Sequence, residues 1–288
     1  MDIHKLKLFL SLASTGHFGR AAAQCHVSPS TMSRNLQQLE QELGAALMDR
    51  NNRSVALTEA GHRFLQFARE TLQQWETFQD SILADAHTLR GQLSIYCSVT
   101  ASYSFLYEIL AEFRTRHPGI NIKLHTGDPA QAIERVTGGY EDIAIAARPS
   151  TLPAEINFKA IASSPLRFIG PKDSSLLPAA DGEHWQTLPM IISEEGLARE
   201  RFNQWCQLEG IAPNIYAEVK GNEAIVSMVS LGFGVGLVPH IVLENSPLKD
   251  RVALLADQPD LGPFDTGICV LEKRLKSPIV SALWAEVQ

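Results

Sequence analysis

From Ser28 to Arg34 the chain reads SPSTMSR, a run of hydroxyls closed by a guanidinium. Ser28, Ser30, Thr31 and Ser33 each donate and accept hydrogen bonds, while Arg34 is a permanently charged fork of donors. These groups match the edges of bases and the oxygens of phosphates, the two surfaces a duplex offers. Pro29 sits among them, and Arg20 upstream with Arg50 and Arg53 downstream adds cations suited to phosphate or an adjacent minor groove. A second, dispersed set comprises Ser98, Thr100, Ser102, Thr126, Ser193 and Asn222, each at the end of an apolar stretch, together with Arg148. Hydroxyls, an amide and one guanidinium suit the binding of a small anion rather than catalysis.

The elements that would carry the first set follow from local pattern. Ile3, Leu6, Phe9, Leu10 and Ala13 recur at helical spacing, and Gly16 ends the run. Gly19 to Gln24 reads as a short helix whose Ala21, Ala22 and Ala23 let another helix approach, and Cys25-His26-Val27 as a turn. Ser28 as N-cap and Pro29 at the first helical position start a third helix, with Met32, Leu36, Leu39 and Leu43 on its apolar stripe and Gly44 at its end. Ser30, Ser33, Arg34, Gln37 and Gln41 take the opposite face. Asp49 to Arg53, followed by Val55 and Leu57, reads as a two-stranded ribbon. The whole is a helix-turn-helix with a wing over residues 1–58, whose second motif helix enters the major groove. An ordinary helical hairpin with solvated polar residues is the bland alternative.

Residues 59–90 read as one long helix, with Phe64, Ala68, Thr71, Trp75, Phe78 and Ile82 on one side and Phe67 and Leu72 widening the stripe. A helix so apolar on one face needs a partner, so dimerisation through it is expected. From residue 91 to 288 strands alternate with helices, which predicts parallel sheets covered on both faces, in two lobes with a cleft between them. Ser98, Thr100, Ser102, Thr126, Ser193 and Asn222 then fall at strand ends or helix starts beside that cleft, with Arg148, and secondarily Arg199, as the cation for a carboxylate. Against this, terminal Ser, Thr and Asn residues commonly serve only as helix caps.

Composition narrows the classes. The 288 residues are 45% hydrophobic and 20% charged, ordinary for a globular protein, and the net charge of −7 conceals a head of +2 (residues 1–58) on a body of −9. No apolar run is long enough for a membrane span, and no cleavage site follows the first apolar stretch, so a cytoplasmic location without a membrane partner is expected. The four cysteines lie 72, 109 and 63 residues apart, a spacing of neither a zinc site nor a disulfide framework. Nine histidines likewise lack ligand spacing, so neither metal nor cofactor is expected. Gly232-Phe233-Gly234-Val235-Gly236 follows a helix and precedes a strand, the reverse of a dinucleotide fingerprint, and no nucleophile elbow or carboxylate pair suggests an enzyme.

The ordered pattern Leu6, Phe9, Phe18, Arg20-Ala21-Ala22, Val27-Ser28, Ser33-Arg34, Leu39-Glu40, Leu43-Gly44, Arg50, Arg53, Val55 and Leu57 to Gly61 resembles the DNA-binding region of the LysR-type transcriptional regulators. The remainder resembles that family's effector domain. The resemblance implies an α/β protein with a helical head: a winged helix-turn-helix, a dimerising linker helix, and a bilobal effector domain like the periplasmic binding proteins. It also implies double-stranded DNA, a small anionic co-inducer, RNA polymerase and further copies of the chain, as dimer or tetramer, for partners. Many members carry Gln where this chain has Pro29 and Pro where it has Ser30, so a glutamine–adenine contact is not available there. Within the family, segments such as Lys123 to Asp128, Glu223 to Val229 and Val242 to Pro247 resemble the branch that regulates acetohydroxy-acid isomeroreductase. That branch implies an activator of a divergent gene and repressor of its own, induced by acetohydroxy acids. The competing reading is a solute-binding protein that kept a helical head for assembly alone.

Overall fold

The computed structural model describes residues 2–51, 54–84, 89–173, 184–256 and 258–287. The chain divides into two compact units, the first built on Met1–Asp85 and the second on Ala86–Thr137 with Glu141–Gln288.

In the first unit, capping chemistry sets the boundaries. α1 (Ile3–Thr15) starts where the Asp2 side chain accepts the Lys5 N–H and ends at Gly16, whose φ of 58° only glycine adopts cheaply. α2 (Phe18–Gln24) is capped by the His17 ring, and α3 (Pro29–Leu43) by Ser28, with Gly44 left-handed at its end. β1 (Met48–Asn51) and β2 (Ser54–Leu57) pair antiparallel as the ribbon, and α4 (Glu59–Ala84) follows. Leu6, Phe9, Leu12, Met32, Leu36 and Leu39 form the core with Ala21 and Ala22, whose small size admits the neighbouring helices. α4 joins this core through Phe64, Ala68 and Leu72. A Cβ at Gly61 would overlap the Leu47 carbonyl, so glycine is what lets α4 lie against the ribbon's approach. The 26 residues of α4 span about 39 Å at ~1.5 Å per residue. Phe67, Trp75, Phe78 and Ile82 on the same helix stay exposed.

The second unit alternates strands and helices: β3 (Gly91–Cys97), α5 (Val99–Ser104), α6 (Leu106–Arg116), β4 (Ile120–Thr126), α7 (Ala132–Thr137) and β5 (Ile143–Ala147) come first. β6 (Ile156–Pro171) leads to α8 (His184–Thr187), β7 (Pro189–Ser193), α9 (Leu197–Glu209), β8 (Asn214–Val219), α10 (Asn222–Ser230), β9 (Val235–Pro239) and α11 (His240–Glu244). β10 (Val252–Leu254), β11 (Pro263–Leu271) and α12 (Pro278–Glu286) complete it. The strand order is β4-β3-β5-β11-β6-β9-β7-β8, with β10 also on β6.

The expectation of parallel sheets needs correction. β3 is parallel to β4 and β5, and β7 to β8 and β9, but β11 runs antiparallel to β5 and β6, and β6 antiparallel to β9 and β10. The cause is one strand that runs through both lobes. The first part of β6 pairs β11 in one lobe, and from Leu166 onward it pairs β9 in the other. Each lobe packs apolar side chains on both faces of its sheet, with Ile95, Ile145 and Phe113 opposite Tyr96 and Ala144 in the first. In the second lobe Phe168, Met190 and Phe202 lie opposite Ile191 and Ile225.

Candidate DNA-binding head and effector cleft

At the start of α3, Ser28 Oγ accepts the Thr31 N–H at 3.1 Å and lies 2.8 Å from both Ser30 Oγ and Thr31 Oγ1. Three hydroxyls are thus fixed as one cluster, with Ser28, Pro29 and Ser30 exposed and Thr31 half-buried. No acidic residue occupies this first turn, so its unpaired N–H groups keep their positive character. Arg34 is exposed one turn on, and Ser33 is half-buried. Arg20 is exposed, with Nη2 donating to the Thr15 carbonyl at 2.9 Å. Arg50 pairs with Val55 in the ribbon, and Arg53 lies outside the described residues. Glu40, not singled out as a positioning group by its sequence context, holds the ribbon to α3 by accepting the Leu47 and Met48 N–H groups at 2.9 and 3.2 Å. Lys5 Nζ, 2.6 Å from Glu42, ties α1 to α3 and is the main cause of a Glu42 pKa lowered to about 2.

In the second unit a cavity of about 220 Å³ opens between the lobes. One wall is made by Asp128, Pro129 and Ala130 with Ala146, Ala147 and Thr151. The other is made by Ser193, Glu195 to Ala198, Glu200, Gly221 and Asn222. Two helix starts therefore reach it. α9 begins behind Gly196 and α10 behind Gly221, both at positive φ, and neither helix has a side-chain cap. Uncapped first turns offer N–H groups to an acceptor brought by a ligand.

The strand-end residues separate into two groups. Ser193 and Asn222 line the cavity. Ser98 is buried and caps α5 through the Ala101 N–H at 3.1 Å, and Thr100 donates both its N–H (2.8 Å) and its hydroxyl (2.5 Å) to Glu223 Oε1. Ser102 donates to the Val99 carbonyl at 2.6 Å and borders a separate open groove with Tyr103, Tyr107 and Arg114. Thr126 is exposed at the end of β4. Arg148 is exposed, its guanidinium 5.6 Å from the Phe158 ring centre, and its neighbours Ala147 and Pro149 line the cavity in its place. Arg199 already bonds Glu218 at 2.7 Å and the Ser193 carbonyl at 3.1 Å. Among the described residues no Lys or Arg lines the cavity, whereas Asp128, Glu195 and Glu200 do. Asp128 was within reach of sequence reasoning, standing two positions after Thr126 at a strand end. Also among the described residues, no cluster of His, Cys, Asp and Glu is built to hold a metal, and no helix is long and apolar enough to cross a membrane.

Two family patterns match this chain. The bacterial regulatory helix-turn-helix protein pattern of the lysR family covers residues 3–62, and the LysR substrate binding domain covers residues 86–288. The chain belongs to the LysR family of transcriptional regulators. This LysR regulator is 44% identical over 294 residues to the HTH-type transcriptional activator IlvY of Salmonella typhimurium, spanning 99% of this chain and 98% of that one. It is 41% identical over 292 residues to IlvY of Haemophilus influenzae, spanning the whole of both. The crystal structure of CbnR, a LysR family transcriptional regulator, shares its fold with a TM-score of 0.69 at 22% identity, covering 100% of this chain and 98% of that one. The Ser28-capped start of α3 and its hydroxyl cluster lie within the stretch matched by the helix-turn-helix pattern, and the interlobe cavity lies within the substrate binding domain. These relatives are named as regulators of transcription, not as enzymes.

Proposed function

We propose that this LysR regulator activates a gene for acetohydroxy-acid isomeroreductase when an acetohydroxy acid fills the interlobe cavity, and represses its own gene. Identity of 41–44% to the IlvY activators over nearly the whole chain supports the regulatory half. The cavity carries the ligand half. An acetohydroxy acid presents a carboxylate, a hydroxyl and a ketone; the uncapped starts of α9 and α10 donate to the ketone and to one carboxylate oxygen, and Glu195, Glu200 or Asp128 accept from the hydroxyl. Ser193, Asn222 and Thr151 supply the remaining hydrogen bonds, and the exposed Arg148, next in sequence to the lining residues Ala147 and Pro149, contributes a favourable positive field.

On DNA, Ser28, Ser30, Thr31 and Arg34 meet the major groove, with Arg20, Ser33, Arg50 and Arg53 on the backbone or the neighbouring minor groove. Paired α4 helices present two heads to a partly symmetric operator. Ligand closes the lobes, changes the spacing of heads in a dimer or tetramer, alters the DNA bend and lets RNA polymerase engage. Ligand drives this only by binding the activating arrangement more tightly than the resting one.

Titration calorimetry with acetolactate, acetohydroxybutyrate and the branched-chain amino acids tests the ligand. The acidic lining favours the amino acids as the second reading, because their ammonium would pair with Glu195 or Glu200. Binding of the acetohydroxy acids alone supports the proposal, and binding of the amino acids alone rejects it. Arg34→Ala should weaken operator binding by about 1–3 kcal/mol in a gel-shift assay, and Arg148→Ala should raise the acetolactate Kd. Unchanged values would remove each residue from its role.

A further inference from the structure

The most telling polar contact between the lobes joins residues 123 positions apart. Thr100, in the first turn of α5, is 3% exposed, and both its donors point at a single carboxylate oxygen of Glu223 in the first turn of α10. Glu223 immediately follows Gly221 and Asn222, which line the cavity, and its other oxygen lies beside Gly221, where an added Cβ would meet it at 3.4 Å. The carboxylate is therefore seated between the cavity wall of one lobe and the first helix of the other. The cavity itself offers a ligand's carboxylate no cation among the described residues.

We propose that Glu223 is an internal stand-in for the inducer's carboxylate: it holds Thr100 and so latches the two lobes to each other, and inducer takes its place on Thr100. Two donors converging on one anionic oxygen make a strong, directional contact. Because Thr100 has only one N–H and one hydroxyl, it serves Glu223 or a second carboxylate, not both. Release of Glu223 frees α10, whose first residues form the cavity wall, so ligand occupancy and lobe rearrangement become one event. Glu223 is thereby a residue that sets both inducer affinity and the resting state. The exchange of carboxylates rests on the cavity being the inducer site, while the latch itself does not.

Two measurements on the full-length protein separate these parts. Without ligand, hydrogen exchange at the Thr100 amide should be faster in Glu223→Ala than in the native protein, with Glu223→Gln intermediate because its amide oxygen still accepts. An unchanged rate in the Ala variant overturns the latch, whatever the ligand proves to be. With acetolactate as probe, Glu223→Ala should bind about tenfold more tightly than native protein, a difference of about one decade in Kd. Equal or weaker binding in both variants overturns the exchange. If native protein and both variants all fail to bind acetolactate, the exchange is rejected together with the reading of the ligand, and the exchange-rate comparison alone decides the latch. Glu223→Gln keeps shape and hydrogen bonding, so it provides the comparison should the Ala variant fold poorly.

Discussion

Replacing Ser28 by Asp tests whether the start of α3 faces a duplex. Ser28 Oγ accepts the Thr31 N–H at 3.1 Å, a cap whose loss to Ala costs about 1 kcal/mol. Asp caps as well as Ser and adds a negative charge at a helix N-terminus, which the dipole favours by roughly 0.3–1 kcal/mol, so Ser28→Asp should unfold no more easily than the native head. DNA binding should respond in the opposite direction. A carboxylate about 5 Å from one phosphate is repelled by about 0.8 kcal/mol at the dielectric of water and by about 3 kcal/mol at that of a protein surface. Operator affinity should therefore fall roughly four- to 150-fold. Fluorescence anisotropy with a labelled operator fragment at two salt concentrations reads this, and the loss should shrink at the higher salt. Ser28→Ala is the control: modestly less stable, with a smaller loss on DNA. If Ser28→Asp is as stable as native protein and binds the operator equally well, the start of α3 does not lie against phosphates, and the assignment of Ser30, Thr31 and Arg34 falls with it.

Three further outcomes are expected. Phe78→Glu places a charge on the exposed stripe of α4, where Phe78 is 54% exposed beside Trp75. Since burying one such aromatic contributes about 1.5–3 kcal/mol, self-association should weaken at least about tenfold in sedimentation, and an unaltered mass would deny that face to a partner. Arg274→Met strands the Asp142 carboxylate, which is 9% exposed and, among the described residues, otherwise accepts from the Ser94 N–H and hydroxyl, each at 2.8 Å. Breaking that buried pair should cost about 3–5 kcal/mol in urea unfolding, and Asp142→Asn in the same protein should recover part of it. Burial pushes the Cys97 thiol up to about 11 and Cys269 to about 12, from an ordinary 9.0. Unfolded thiols ionise first, so stability is complete below pH 9 and is lost as pH rises towards about 12. The urea midpoint should fall over that range, and less steeply in Cys269→Ala.

What was legible in the sequence was whatever short-range chemistry decides. Ser28-Pro29 starts α3, and Gly16 and Gly44 end α1 and α3, at the residues their types indicate, because a cap is settled within one turn. The two halves of β6 belong to different sheets, and no single period runs through Asn157, Lys159, Ser163 and Pro165; only Leu166 to Gly170 carries a strand signal. The short α11 and β10 gave too few residues for a pattern. At the cleft, residue type indicated a position at a helix start but not what the side chain would bond. Ser193 and Asn222 reach the cavity, while the Ser98 and Ser102 hydroxyls are taken up by Ala101 and Val99. Arg199 has the chemistry of a carboxylate partner, yet Glu218 on β8 already holds it. A pairing such as Thr100 with Glu223 is beyond any local reading, since it exists only after two lobes have folded against each other.

The size of the interlobe contact bears on how many copies must act together. Moving a two-state protein from 1:99 to 99:1 requires about 5.5 kcal/mol of differential ligand binding. A hydrogen bond to a charged group is worth about 1.5–3 kcal/mol, so exchanging the Glu223 carboxylate for a ligand's on Thr100 is close to neutral and cannot supply that sum. The surplus has to come from contacts the ligand adds in the cavity of about 220 Å³, through Ser193, Asn222 and the uncapped starts of α9 and α10. Two neutral contacts of this kind, each formed only in the closed arrangement, contribute about 1–3 kcal/mol per chain. One chain then shifts its equilibrium only part of the way, and two chains moving together reach the required value only where each supplies close to the upper figure. A dimer locked to all-or-none movement should accordingly show a steeper response to inducer than the Phe78→Glu protein, whose chains would respond singly and incompletely.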